Sequence, residues 1–381
     1  MLRSATVVAA CFAAALRSVT GQAAGGSVAW FAASDTHLGH DVGPKNGTVV
    51  SSYEKNVRAI SEMNALWASP CGTLNCSWPA SLGGGPVQEP LGVVVSGDLI
   101  DNGGGSAAVV NGCNQWYNFT SLFGFNGSDG MLRSKVYEGR GNHDDENSTA
   151  AMPPGCTIVP SRAIIARNKL RLADASFGLD AVSPATGLHY SWTWPISSSC
   201  RLHFVQLNLY PGETCGSPAN PGKEGTFPCA DGWIWGEGAE SFLVADLAAH
   251  AAAPGTHVVV AMHFGLDGWS RTWYNPDQAA AFIAALAPYK TLVVHVGHTH
   301  AAGLYSFNGT DEGAWNDPRP GFVNVMNAPA TQKEAGDQTA LPSEFMALEA
   351  TVDAAGAGTL RIAQRVGSGW GNVQGSTTFS C

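Results

Sequence analysis

The chain has 381 residues, 45% of them hydrophobic and 13% charged, with a formal net charge of −10. That balance is too apolar for a disordered chain and ample for a large core. Its acidity and few lysines argue against a surface built to grip the phosphate backbone, so no nucleic-acid partner is expected; a small anionic substrate would need local positive charge, which metal ions can supply.

The N-terminus MLRSATVVAACFAAALRSVTGQAAGG has a basic start, a short apolar run through Leu16 and small residues between Thr20 and Gly26. This is the pattern of a cleaved secretory signal, assigned to residues 1–24, with a frayed N-terminal helix as the alternative. It is too short and interrupted for a membrane span, and no transmembrane anchor is expected. Residues 25–381 show no linker or internal repeat and read as a single domain with long loops.

Loss of the signal removes Cys11 and leaves Cys71, Cys76, Cys113, Cys156, Cys200, Cys215, Cys229 and Cys381, with no CxxC pair. An even set of this kind points to disulfides rather than zinc thiolates, with Cys71–Cys76 and Cys215–Cys229 as the expected local pairs. Glycosylation acceptors stand at Asn46, Asn75, Asn118, Asn126, Asn147 and Asn308. Together with the signal they predict a glycoprotein that is secreted or held in the secretory-pathway lumen.

In chain order, VAWFAA runs into SDTH, LGVVV into SGDLID, KVYEG into RGNHDD, HVVVAM into HFG, and TLVVHV into GHTH. Short Val-rich runs bounded by Gly predict buried strands. Helical patterns lie between them, as in YEKNVRAISEMNALWA, ESFLVADLAAHAA and PDQAAAFIAALAPYK. Strand and helix in alternation imply a largely parallel sheet, whose functional residues gather beyond the strands' carboxyl ends. The runs GLHYSWTW, RLHFVQLNLY, AGLYSFNG, GFVNVMNA, EFMALEATVD and TLRIAQRV have few helices between them and predict a second, more antiparallel sheet. Residues 70–90 and 211–238 read as long loops; Trp233 and Trp235 would line a pocket or anchor the second loop.

The five polar clusters supply Asp35 and His37, Asp98 and Asp101, Asn142 and His143, His263, and His298 and His300. Hard oxygens beside imidazoles suit Mn, Fe or Zn, and one bridging carboxylate can hold two ions together. A buried His alone is more often a hydrogen-bonded core residue, and a loop acid is more often merely solvated. The signal is the ordered set of five.

That set, DTH, GDLID, GRGNHD, MHFG and GHTH, resembles the signature of the calcineurin-like metallophosphoesterases and extends from Asp35 to His300. The resemblance implies an α/β fold, a four-layer α/β/β/α sandwich, with a dinuclear centre of divalent or mixed-valence ions. Asp35, His37, Asp98 and His300 would hold one ion, and Asp98 would bridge to a second held by Asn142, His263 and His298. Two such cations can activate a water and neutralise charge during in-line displacement on a small phosphate ester, mono- or diester. His143 would protonate the leaving alkoxide, oriented by Asp101, the second acid of GDxxD.

Departures narrow the comparison. Asn102 stands where protein Ser/Thr phosphatases carry an Arg, Asp101 stands where purple acid phosphatases carry a Tyr ligand, and the second domain of secreted 5′-nucleotidases has no room here. Arg140 would contact phosphate or anchor its loop. His40 would support a ligand, face the substrate or stand by. Asp144 is expected behind the ligands, and His189, His203, His250, His257 and His295 belong to the fold or surface. The rival from another class is a catalytically silent glycoprotein that keeps the sandwich as a binding module.

Overall fold

Strand β1 (Gly26–Ala33) divides its side chains by parity, as a strand buried on both faces must. Val28, Trp30 and Ala32 enter one apolar cluster, whereas Phe31 and Ala33 enter another. The computed structural model, which describes residues 25–39, 51–68, 76–101, 112–144, 160–212, 238–273, 276–331 and 343–381, builds four layers on that division.

In the first sheet, β1 pairs in parallel with β2 (Val93–Val95), which pairs in parallel with β3 (Val136–Glu138). On its other side β1 meets β12 (Glu344–Val352) antiparallel, followed by β13 (Ala357–Val366) and β14 (Gly369–Ser380). The second sheet runs β4 (Leu179–Val182), β5 (Tyr190–Pro195), β6 (Arg201–Gln206), β7 (Thr256–Ala261), β8 (Thr291–Val296), β11 (Val323–Asn327), β9 (Gly303–Phe307), β10 (Glu312–Gly313). Its centre, β6 to β8 and β11, is parallel and its flanks are antiparallel. The expected division into a largely parallel sheet and a more antiparallel one is therefore corrected: the first sheet joins a parallel half, β1 to β3, to an antiparallel half, β12 to β14, and the second has a parallel centre with antiparallel flanks.

The sheets pack through an aromatic layer. Trp30 meets Phe204 edge-on at 5.3 Å, Trp192 stacks on Phe204 at 5.0 Å, and Tyr137 stacks on Trp192 at 4.3 Å. Such pairs add roughly 0.5–1.5 kcal/mol each beyond the area they bury.

Helices cover the outer faces. Helix α1 (Ser52–Leu66) starts at Ser51, whose hydroxyl accepts from the Glu54 amide at 3.2 Å, and it turns Ile60, Met63 and Leu66 toward Phe31 and Val95. Helices α2 (Gly112–Phe123) and α3 (Pro160–Ala173) send Phe119 and Ile164 into the same cluster. Helices α4 (Ala239–His250) and α5 (Pro276–Leu286) cover the second sheet through Leu243, Leu247, Phe282 and Leu286. This is the α/β/β/α sandwich expected from the sequence. No helix among the described residues is long and apolar enough to cross a membrane.

Two ties hold the ends of this frame. Glu138, at the end of β3, is buried with Arg171 and Arg167 of α3; burial works to raise its carboxyl, and the two guanidiniums outweigh it. Cys200, just before β6, is joined to Cys381, just after β14, so one disulfide links the two sheets across 181 residues of sequence. Cys76 is also disulfide-bonded. The expected partner Cys71 and the pair Cys215–Cys229 lie outside the described residues, as do Trp233 and Trp235.

Candidate metal centre

Beyond the strand ends the backbone turns sharply. Among the described residues six non-glycines have positive φ, and five of them are Asp35 (52°), His37 (37°), Asp98 (51°), His298 (68°) and His300 (59°). Left-handed backbone costs such residues on the order of 1–3 kcal/mol and persists only where surrounding structure holds it. Backbone bonds between loops do so here: Asp35 donates to Gly97 at 3.0 Å, His37 to Asp98 at 3.0 Å, and Gly297 to His263 at 2.8 Å. Close approach also explains two motif glycines. A Cβ on Gly141 would lie 2.1 Å from the Asp98 carboxylate, and one on Gly297 would lie 1.8 Å from the Ser34 hydroxyl.

The loops bring together the seven expected metal ligands. Asp35, His37, Asp98 and His300 form one group whose donor atoms lie within 4.8 Å of one another; Asp98, His263 and His298 form a second. Asp98 belongs to both. Asp35 Oδ1 lies 3.3 Å from His300 Nε2 and 3.7 Å from His37 Nε2, and Asp98 Oδ2 lies 3.1 Å from His263 Nε2 and 3.5 Å from His37 Nε2. The Asn142 carboxamide oxygen is 2.9 Å from His263 Nε2.

This donor set fits cations. Asp35 Oδ1 and Asp98 Oδ2 are buried and accept no hydrogen bond, while the other oxygen of each accepts a backbone amide, from His298 at 3.0 Å and from His143 at 2.8 Å. The Nε2 atoms of His37 and His300 face each other at 3.1 Å, a contact that needs a shared proton or cation between two lone pairs. Burial would raise the Asp35 carboxyl, but the imidazoles of His300 and His37 beside it outweigh burial and hold it well below the carboxylate range. Burial likewise opposes the ionised form of Asp98, and His263 and His143 overcome it. Burial, with His263 alongside, drives His298 down to about 3, which leaves the neutral imidazole that ligation requires.

His143 is the exposed member, with 42% of its side chain open to solvent and its ring 4.6 Å from that of His37. Its orientation differs from the expected one. His143 Nδ1 lies 2.6 Å from the Asp101 backbone carbonyl, so Nδ1–H donates there and Nε2 is the free-base position. The Asp101 carboxylate is 3.9 Å from His143 and lies closer, at 3.3 Å, to His37 Nδ1.

Asp144 is buried and joins two of the loops: it accepts from the amides of Leu99 at 3.2 Å, Ile100 at 3.0 Å and Gly141 at 2.8 Å. Burial and the charge of Asp98 raise it to about 6 against those amides. Arg140 is buried as well, as a loop anchor would be. His40 and Asn102 lie outside the described residues.

The histidines assigned to the fold behave as such. His189 Nδ1 accepts from the Asn208 amide at 2.9 Å, His203 bonds Asp246 at 2.7 Å, and buried His295 stacks near Trp30. His257 lies close to Cys200 and Cys381, but their sulfurs are spent in the disulfide. Sequence reasoning passed over Trp269, whose indole stacks on His298 at 4.7 Å; its signal was a large aromatic in the Gly-flanked polar segment GLDGWS after His263.

No family model matches the sequence, and no curated protein matches it. Among solved structures, a dimetal phosphatase from Danio rerio superposes with a TM-score of 0.52 at 12% identity, covering 93% of this chain and 98% of that one. GAP50, the anchor in the inner membrane complex of Plasmodium, gives 0.47 at 10% identity over 93% of this chain and 89% of that one. The calcineurin-like phosphoesterase YfkN from Bacillus subtilis gives 0.41 at 10% identity over 93% of this chain and 91% of that one. The chain thus shares the fold of that dimetal phosphatase.

Proposed function

We propose that this chain, which has the metallophosphoesterase fold, is a secreted metal-dependent phosphoesterase that hydrolyses a phosphate monoester or diester. The observation that carries the reading is the convergence, from five strand-end loops, of six Asp and His donors into two groups that share Asp98, with the Asn142 carboxamide oxygen 2.9 Å from His263. Asp35, His37, Asp98 and His300 would hold one ion; Asn142, His263 and His298, with Asp98, would hold the other. Two ions there would supply Lewis acidity and an activated water.

The remaining steps fall to side chains. His143, open to solvent beside the two groups, is the general acid: its Nδ1–H is engaged by the Asp101 carbonyl, so Nε2 is the atom that carries a proton to the departing oxygen. Asp101 has a positioning role, through its carbonyl on His143 and its carboxylate on His37. Residues 1–24 are removed as a secretory signal in this reading, and residues 25–381 form the catalytic domain. The Cys200–Cys381 disulfide supports an oxidising compartment.

The test is metal analysis of the purified chain combined with a screen of nucleotides, sugar phosphates, phospholipid headgroups and cyclic nucleotides after reconstitution with Mn, Fe or Zn. Turnover of one ester class with about two ions bound is the expected result. A folded chain that binds ions and hydrolyses none of them would be a binding module instead.

A further inference from the structure

The fold sorts the glycosylation acceptors. Asn126 and Asn308 stand in turns and Asn118 stands within α2, while Asn46, Asn75 and Asn147 lie outside the described residues. An acceptor needs its carboxamide nitrogen in the open and room for a bulky, solvated sugar.

The two turns meet both needs. Asn126 is exposed, and its Oδ1 accepts from the Ser128 amide at 2.9 Å and the Ser128 hydroxyl at 2.7 Å. Asn308 is half-buried, and its Oδ1 accepts from the amides of Thr310 at 3.0 Å and Asp311 at 2.7 Å; the Thr310 hydroxyl lies 3.1 Å from both that oxygen and the Asp311 carboxylate. The carbonyl end of each Asn is thus held by the hydroxyl residue of its own triplet, a local closure that short Asn side chains favour. Neither Nδ2 makes a hydrogen bond to the described residues, and neither is among the buried polar atoms left without one, so both face solvent. The Asn308 turn is also braced from outside, because Arg271 donates to the Thr310 carbonyl at 2.8 Å.

Asn118 differs. It is half-buried and helical, and the Thr120 hydroxyl of its triplet turns back onto the carbonyls of Trp116 and Tyr117, at 3.2 Å from each. Unfolded chains already sample such local helices, so the contrast precedes the finished fold.

We propose that Asn126 and Asn308 each carry an N-linked oligosaccharide on Nδ2, and that Asn118 is passed over. The proposal rests on the secretory part of the reading above for the compartment. Transfer forms a bond from Nδ2 to C1 of an oligosaccharide delivered on a lipid pyrophosphate. The bond from C1 to the pyrophosphate oxygen breaks, the lipid pyrophosphate leaves with the electron pair, and one Nδ2 proton passes to solvent. The product amide keeps its carbonyl, so the bonds that Oδ1 accepts in both turns survive.

The test expresses the full chain in a eukaryotic secretory host, once with its own residues 1–24 and once with a heterologous cleavable signal in their place. An endoglycosidase trims each glycan to a single N-acetylglucosamine, and peptides are mapped by mass. The residual sugar separates glycosylation from spontaneous deamidation, which the steps Asn126–Gly127 and Asn308–Gly309 can undergo and which leaves no sugar. Most copies should carry the sugar at Asn126 and Asn308 and few at Asn118, and Asn126→Gln and Asn308→Gln should each remove one glycan from the intact mass. Absence of the sugar at either residue, in chains whose heterologous signal has been cleaved, overturns that site. Equal occupancy of Asn118 overturns selection by the turns. Chains modified behind the heterologous signal, but bare and still beginning at Met1 with their own leader, would refute secretion and leave the sites standing.

Discussion

Asp98 is the residue on which the two donor groups depend, since it is the one side chain common to both. Asp98→Ala should therefore lose more bound metal than His300→Ala or His298→Ala, each of which belongs to one group, and should abolish turnover. Elemental analysis of the purified variants checks this, and normal metal content in Asp98→Ala would refute a dinuclear centre. His143 offers a different signature. His143→Ala should slow esters of poorly acidic alcohols about 10²- to 10⁴-fold while nitrophenyl esters suffer far less, because their leaving groups need no proton. Asp101→Asn separates the two parts of that residue: the carbonyl that holds His143 remains, whereas the carboxylate 3.3 Å from His37 is lost. It should then lower metal retention and slow both ester types together, and selective slowing of alkyl esters would restore the carboxylate–His143 role that the motif first suggested.

At the scale of elements, strands of the second sheet are tied to α4 by a buried polar group far from the metal centre. His203 of β6 bonds Asp246 of α4 at 2.7 Å, with Thr193 of β5 at 3.0 Å, Asp180 of β4 at 3.4 Å and the His250 ring stacked at 5.6 Å. Burial works to lower the His203 pKa, but Asp180 and Asp246 outweigh it and raise it above 6.5. The sign follows: the charged pair contributes its full stability below the unfolded pKa, and that contribution is lost as pH rises through the raised folded value. The stability gap between wild type and His203→Gln, about 2 kcal/mol for a charge-assisted bond, should thus be largest at about pH 6 and shrink by about pH 9. Denaturant titrations at the two pH values measure it; a gap that widens with pH would contradict the assignment.

For the whole molecule, the Cys200–Cys381 link closes the largest loop described, 181 residues, and a chain-entropy model gives such closure about 5 kcal/mol, less where other cross-links already restrict the unfolded chain. Cys381→Ser should lower stability by about 2–5 kcal/mol while metal binding survives at low temperature, because Cys381 closes the end of β14 and takes no part in the donor groups. Thermal unfolding with parallel metal analysis checks both halves. This pairing was not legible in the sequence: an even number of cysteines implies bridges, but only the packing of one sheet on the other brings positions so distant to one place. The strands, their buried character and the seven donors were legible, because a strand of period two ending in a polar turn is a local pattern and the order of the five turns is itself specific. Local pattern also predicted two sheets, and the family resemblance the four layers, but the pairing within each sheet was misassigned, since whether β6 pairs in parallel with β7 is a choice between distant segments. The roles of Asp101's two ends and the stacking of Trp269 on His298 were decided by tertiary structure alone, because which groups meet beyond the strand ends depends on atoms contributed by other loops.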